Sequence, residues 1–256
     1  MEWYWILLIV LGSLLVLLLL SVVFYKQFFK RFYDAILSGL AILFLLLPLA
    51  VVAIGVRLSV GKPVLFNSKR ATKKQKSFNL LKFRSMKNAF DSDGVPLPDS
   101  ERITKFGGFI RKTSLDELPS LFNIFKGDMS IVGPRPLPLN YLPWYKEEER
   151  KRFKVRAGLT GLAQINGRGE LDWEKKFAFD GRYVDTYSFF GDILIILKTI
   201  VNVFKKADIG ERGKDSPVDF HCYRSGLSEK ELLVLEKENR LPETYEEWLN
   251  EKTFNA

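Results

Sequence analysis

The sequence predicts a helix-rich α/β protein held at a membrane, and three patterns carry that prediction. Residues 3–25 and 35–56 are two long apolar runs without a single charged side chain. From Gly61 the chain changes to short apolar runs separated by turn residues, the signature of short strands. Several later stretches place apolar residues at helical spacing with cations alongside, which suits amphipathic helices lying at an interface. The expected organisation is a transmembrane helix within residues 1–29, a second membrane segment over 30–60, a cytoplasmic domain over 61–210 and an acidic helical extension over 211–256.

The first run is long enough as a helix to cross a hydrocarbon core of about 30 Å. Trp3, Tyr4 and Trp5 stand at one end and Tyr25 at the other, as interfacial anchors do. A secretory signal is a poor match, since Glu2 and no cation precedes the run. Lys26, Lys30 and Arg31 follow it, so the positive-inside rule places residue 26 onward in the cytoplasm. The second run has Pro48 at its middle, where a missing donor and a ring clash bend a helix. Cations flank it on both sides: Lys30 and Arg31 before, Arg57 and Lys62 after. A kinked span and a helix that turns back to its own side both fit this pattern.

The 256 residues carry a net charge of +9, which points to anionic partners such as lipid head groups or nucleotide phosphates. Every charged residue between Lys62 and Lys87 is basic, whereas eight glutamates face four cations from Leu227 onward. Cys222 is the lone cysteine, so there is no internal disulfide. His221, the lone histidine, lacks companions at metal-ligand spacing. No helix-turn-helix, zinc or RNA-binding signature is present, which argues against nucleic acid as the partner.

In the cytoplasmic part, residues 61–66 read as a turn into a short strand, 78–86 as a second strand, 91–100 as a surface loop and 101–111 as an amphipathic helix. Leu115, Leu118, Leu121, Phe122 and Phe125 fall at helical spacing, with Thr113 or Ser114 as N-cap and Gly127 as the stop. Asp116 and Glu117 then occupy the first turn, where free N–H groups and the helix dipole favour anions. Arg135 lies between two prolines in Gly133-Pro-Arg-Pro136, a stiff loop presenting a guanidinium suited to a phosphate oxygen. Residues 156–168 are glycine-rich and resemble a phosphate-cradling loop, without the Lys-Ser/Thr ending of a P-loop. Residues 173–187 read as a helix with Asp180 and Tyr183 on one face, and 193–204 as a helix at the membrane surface. Ser228-x-x-Glu231 and Thr244-x-x-Glu247 match capping boxes, so two capped helices close the chain after a loop holding Pro217, His221 and Cys222.

Five pieces in this order resemble the bacterial polyprenyl-phosphate sugar-1-phosphate transferases, the monotopic phosphoglycosyl transferases that begin glycan assembly on a lipid carrier. They are Lys30-Arg31 with the Pro48 run, Lys82-Phe-Arg-Ser-Met86, Ser114-Leu-Asp-Glu-Leu-Pro119, Gly127-Asp-Met-Ser-Ile-Val-Gly-Pro-Arg-Pro136, and Gly158-Leu-Thr-Gly-Leu-Ala-Gln-Ile-Asn-Gly-Arg168. The similarity covers about residues 30–209. It implies that the Pro48 segment is a re-entrant helix and that the catalytic domain stays on the cytoplasmic face of the bacterial inner membrane. It implies Asp116 as the nucleophile on a UDP-sugar, with release of UMP and transfer to undecaprenyl phosphate. Glu117 would hold Mg²⁺ with Asp116 or accept a proton. Lys82, Arg84, Arg111, Arg135, Gln164, Arg168 and Asp180 would bind the substrate. Three departures stand out: Leu47 where the family usually has serine before its proline, Ala157 where proline is common, and Leu162 where tryptophan is common. Membrane lipid is an expected partner, and a homo-oligomer is compatible. The competing expectations are a catalytically inactive assembly partner in polysaccharide synthesis, and a sugar transferase that would release UDP.

Overall fold

A computed structural model describes residues 3–90, 97–167, 171–204 and 219–254. The first apolar run forms helix α1 (Trp3–Val23), whose flank is exposed almost throughout, as a helix made for lipid would be. It is the one described helix long and apolar enough by itself to cross a membrane. A single π-helical turn, Tyr25–Phe29, leads into α2 (Lys30–Phe44). Helix α3 (Leu46–Ser59) follows at a bend of 65°.

The bend lies upstream of Pro48, at Leu45, and Pro48 occupies the first turn of α3. A proline is tolerated in a first turn but clashes with the carbonyl four residues earlier, so the break falls one turn before it. Leu45 leaves helical geometry at φ −96°, ψ 8°, while Leu45 N and Leu49 N keep their bonds to Ala41 and Leu45 carbonyls.

Both ends of this bent pair are built into the same body. Arg31 at the start of α2 donates to the carbonyls of Ile124 (2.9 Å) and Phe125 (2.6 Å), closing the C-terminus of helix α6 (Ser120–Lys126). Asp34 accepts from the Ile131 amide at 2.9 Å. At the far end, Val56 of α3 is buried beside Ile110 and Phe83. A Cβ on Gly55 would lie 2.3 Å from the Phe106 ring, so glycine lets α3 approach that close.

The central hairpin joins β1 (Leu65–Ala71) and β2 (Ser77–Phe83), antiparallel, with Leu65 opposite Phe83 and Ala71 opposite Ser77. It is longer than the sequence pattern suggested, because its tip is the basic run itself: Lys74 and Gln75 take positive φ in the turn. The outer edge of β2 is satisfied by side chains of α6. Ser120 Oγ donates to Leu81 O (2.9 Å), Asn123 Oδ1 accepts from Leu81 N (3.0 Å), and Asn123 Nδ2 donates to Asn79 O (2.8 Å). An open strand edge is thereby closed without a third strand.

Residues 99–112 form two pieces rather than one helix: α4 (Asp99–Arg102) and α5 (Lys105–Lys112). Thr104 separates them, with its hydroxyl capping Gly107 N at 2.9 Å. Of the expected surface loop, residues 91–96 lie outside the described residues.

Strands β3 (Ser130–Val132) and β4 (Gly158–Thr160) pair in parallel, and here the glycine-rich stretch finds its use. A Cβ on Gly158 would sit 2.1 Å from Gly133 N, and one on Gly161 2.2 Å from Gly133 O. These glycines allow backbone to lie against backbone where β3 meets β4. Helices α7 (Leu162–Ile165), α8 (Trp173–Thr186) and α9 (Phe189–Phe204) complete the domain.

Among its described residues the acidic extension holds three helices, one more than the capping boxes announced: α10 (Phe220–Ser225), α11 (Glu229–Lys237) and α12 (Tyr245–Phe254). His221 and Cys222 sit in α10 instead of a loop, and Pro217 lies outside the described residues. The Ser228/Glu231 box closes in both directions, at 3.3 Å and 2.7 Å. The extension is packed into the domain. Phe220 is fully buried in an aromatic core with Tyr141, Tyr145, Trp173 and Phe177, and Arg224 forms a buried pair with Glu149 at 2.7 Å.

Candidate functional site

Asp116 and Glu117 precede α6 instead of opening it. Pro119 follows two residues later, and the helix starts only at Ser120; Leu115–Glu117 form a separate 3₁₀ turn. Ser114 enters that turn at φ 58° and makes no side-chain cap. The site therefore draws on a strained turn pinned against β2 rather than on a helix dipole. Asp116 is 5% exposed.

The Glu117 carboxylate faces the hairpin. Its Oε1 accepts from Lys82 Nζ at 2.7 Å and from Arg135 Nη2 at 2.9 Å. Lys82 comes from β2 and Arg135 from the Gly133-Pro-Arg-Pro136 loop, so one oxygen joins two elements that meet only through folding. Burial pulls the Lys82 ammonium below its ordinary value, against the charge of Glu117. Glu117 does the reverse for Arg135, holding its guanidinium above the usual range.

These groups line a cleft together with Arg70, Ser120, Leu137 and Gly158. Arg70 was not singled out from the sequence beyond its place in the basic run. Burial, and then Arg135 beside it, lowers its pKa. Lys176 of α8 is lowered in the same way, by burial first and with Arg135 contributing. Arg70, Lys82 and Arg135 thus converge on one cleft, an excess of positive charge of the kind that binds a diphosphate.

The other expected substrate residues divide. Arg111 lies on α5, five residues before Asp116, and its Nε donates to Ser85 Oγ at 2.8 Å. Arg84 is engaged elsewhere: Nη1 donates to the carbonyls of Lys62 (2.8 Å) and Pro63 (3.1 Å), and Nη2 to Asn88 (3.0 Å). It locks the chain leaving α3 onto β2. Gln164 has both amide atoms buried and without a hydrogen-bond partner among the described residues, beside Gly161 and the Gly133 turn. Such a group is costly unless a ligand meets it. Arg168 lies outside the described residues.

Asp180 is set behind the cleft, not in it. It pairs with Arg152 at 3.1 Å, both side chains being 5% exposed or less. Arg152 in turn donates to Tyr145 Oη and to the carbonyl of Arg135, each at 2.6 Å. Arg152 belongs to the charged run 146–154, whose composition suggests a solvated surface, and no sequence signal marks it as buried.

Among the described residues no group of three or more His, Cys, Asp or Glu side chains converges as a metal cage. Mg²⁺ needs no such cage, since it is commonly held by one or two carboxylates with substrate phosphates completing the shell.

The model of the bacterial sugar transferase family matches residues 25–206. The chain belongs to that family. It is 52% identical over 148 residues to a protein of Bacillus subtilis described as an uncharacterized sugar transferase, EpsL, covering 58% of this chain and 73% of that one. It is 40% identical over 190 residues to the UDP-glucose:undecaprenyl-phosphate glucose-1-phosphate transferase of Escherichia coli, and 36% identical over 198 residues to the undecaprenyl-phosphate galactose phosphotransferase of Salmonella typhimurium. These two matches cover 70% and 71% of this chain, and the chain spans 41% of the length of each of those relatives. The family match stops at residue 206, so the three helices packed against the aromatic core lie beyond it.

Proposed function

We propose that this protein transfers a sugar-1-phosphate from a UDP-sugar to undecaprenyl phosphate, releasing UMP, as the first membrane step of a bacterial glycan such as an exopolysaccharide. The observation that carries the reading is Glu117 bound by Lys82 and Arg135 next to the buried Asp116. The activities for which the E. coli and Salmonella relatives are named support it.

An oxygen of Asp116 attacks the sugar-bearing phosphorus, and the bond to the bridging oxygen breaks, with UMP leaving as the anion. The phosphate oxygen of undecaprenyl phosphate then attacks the same phosphorus. The aspartyl–phosphorus bond breaks, the carboxylate is restored, and a lipid diphosphate sugar is formed. Two steps at one carboxylate give ping-pong kinetics. Arg70, Lys82 and Arg135 neutralise the diphosphate as charge shifts toward the leaving UMP. Arg111 on α5, five residues before Asp116, would clamp a phosphate oxygen. Asp116 and Glu117 would hold Mg²⁺, which supplies charge neutralisation at the phosphates.

The bent pair α2–α3 is read as re-entrant, with the catalytic domain on the cytoplasmic side of the inner membrane. Support comes from Arg31 and Val56, at opposite ends of the pair, both packing into one domain. The exposed stripe of α9 and exposed Phe109, Phe122 and Phe125 on α5 and α6 suit the same interface. A site at head-group level meets the carrier phosphate where it lies.

The deciding experiment supplies nanodisc-embedded protein with Mg²⁺, undecaprenyl phosphate and a panel of UDP-sugars, and identifies the nucleotide released. UMP from one or two donors is expected. UDP would mean glycosyl transfer, and no nucleotide from any donor would favour an inactive assembly partner.

A further inference from the structure

A cavity of about 350 Å³ lies between α7, α8 and α9, on the far side of β3 from Glu117. Its lining shares no residue with that of the catalytic cleft. Leu162, Phe179, Leu194 and Ile195 supply an apolar wall. Arg182 and Lys198, both exposed, add two cations from facing helices. The acid in the lining, Asp192, is already satisfied by Lys30, by Tyr25 Oη at 2.6 Å and by Tyr183 Oη at 3.0 Å. The cavity therefore presents positive charge beside an apolar wall.

Its depth is marked by the chain itself. Lys26, three residues past the apolar helix α1, stands 4.6 Å over the ring of Tyr187, which lines the cavity. Lys30, four residues further, binds the lining Asp192. The cavity is thus level with the end of the apolar span, where head-group phosphates lie. From it runs the exposed stripe of α9, Phe190, Ile193, Leu194, Leu197 and Ile200, at the spacing of one helix face.

We propose that this cavity seats an anionic phospholipid of the surrounding bilayer, its phosphate between Arg182 and Lys198 and an acyl chain along Leu194 and Leu197. A soluble anion would gain nothing from the apolar wall, and a zwitterionic lipid would bring its own cation to the pair. The site is separate from the one that handles the carrier lipid, because β3 stands between the cavity and Glu117: Tyr183 Oη on the cavity side donates to Val132 O, and Arg135 follows three residues later.

The test uses the full chain in nanodiscs containing photoactivatable phosphatidylglycerol, or phosphatidylcholine with the same chains, and maps the labelled peptides. Phosphatidylglycerol should label residues 179–198, and the double variant Arg182→Glu, Lys198→Glu should lower that labelling at least about tenfold, with labelling of α1 unchanged. Both positions are exposed, and an unaltered melting curve would show that the variant folds. Equal labelling by phosphatidylcholine, unchanged labelling of the variant, or displacement of the label by undecaprenyl phosphate would each overturn the assignment. The labelling is independent of the proposed reaction: a protein that released no UMP should still be labelled.

Discussion

Arg152 Nη2 donates to the backbone carbonyl of Arg135 at 2.6 Å, so a buried arginine fixes the backbone of the arginine that meets Glu117. The chain of contacts is continuous. Phe220 of the extension packs on Tyr145 at 5.1 Å between ring centroids, Tyr145 receives Arg152, Arg152 holds the Arg135 carbonyl, and Arg135 Nη2 reaches Glu117.

Asp116→Asn should abolish UMP release with and without carrier lipid, because an amide is not a competent nucleophile in the first step. A purified variant that kept wild-type turnover would remove Asp116 from the mechanism.

Asp180 should give the protein a pH dependence of known sign. Burial pushes its carboxyl up to about 6, against the pull of Arg152. Between about pH 4 and about 6 the native protein then holds a proton that the unfolded chain does not, so this group makes stability fall as pH rises through that window. Activity should run the other way, declining below about pH 6 as Arg152 loses its counter-charge. Asp180→Asn should flatten both profiles, and because the amide mimics the protonated carboxyl it should leave the melting temperature at pH 7 no lower than that of the wild type. Melting curves and UMP release from pH 5 to 8 check both.

Two adjacent glycines in α5 should respond oppositely to alanine. A Cβ on Gly107 would lie 1.9 Å from the Ser85 carbonyl oxygen, so Gly107→Ala must displace Ser85 and with it the partner of Arg111. Around Gly108 the nearest atom is 3.8 Å away, on Ile103, so Gly108→Ala should stabilise by about 0.5–1 kcal/mol through helix propensity. Thermal unfolding in detergent distinguishes them, and similar shifts for both would refute the packing argument.

Phe220→Ala should destabilise by about 3–5 kcal/mol, since it empties the centre of the aromatic core. A near-neutral result in the same melt would show that the extension is an appendage.

Cysteine labelling tests the topology. In a Cys222→Ser background, single cysteines at positions 30 and 62 should both be protected from an impermeant reagent applied outside intact cells. Labelling of position 62 alone would mean a kinked span.

Much of this was legible from residue order. The apolar runs, the two hairpin strands, the capping box at Ser228 and the Asp116–Glu117 pair all stand on local pattern, whereas the short strands β3 and β4 carry none. What escaped were features set by distant partners. The bend falls at Leu45 because Pro48 disturbs the turn before itself. The helix expected over 115–125 splits because Pro119 follows the acidic pair so closely. The glycines at 158 and 161 look like a phosphate loop, and the close approach of Gly133 that they also permit has no local signal. Arg152 is the clearest case, since nothing in the run Lys146 to Lys154 tells which cation turns inward. Arg84 and Asp180 were expected at the substrate, and the fold shows each of them also tying chain segments together.

Arg31 bears on how such a protein can be handled. From the start of α2 it closes the last carbonyls of α6, the helix that also completes the edge of β2. Trimming the chain before β1 would remove that closure, the Asp34 bond to Ile131 and the Val56 contact together. Deletion alone would therefore cost the domain its support; a more soluble version would need the exposed apolar side chains of α2 and α3 replaced while their inner faces stay as they are.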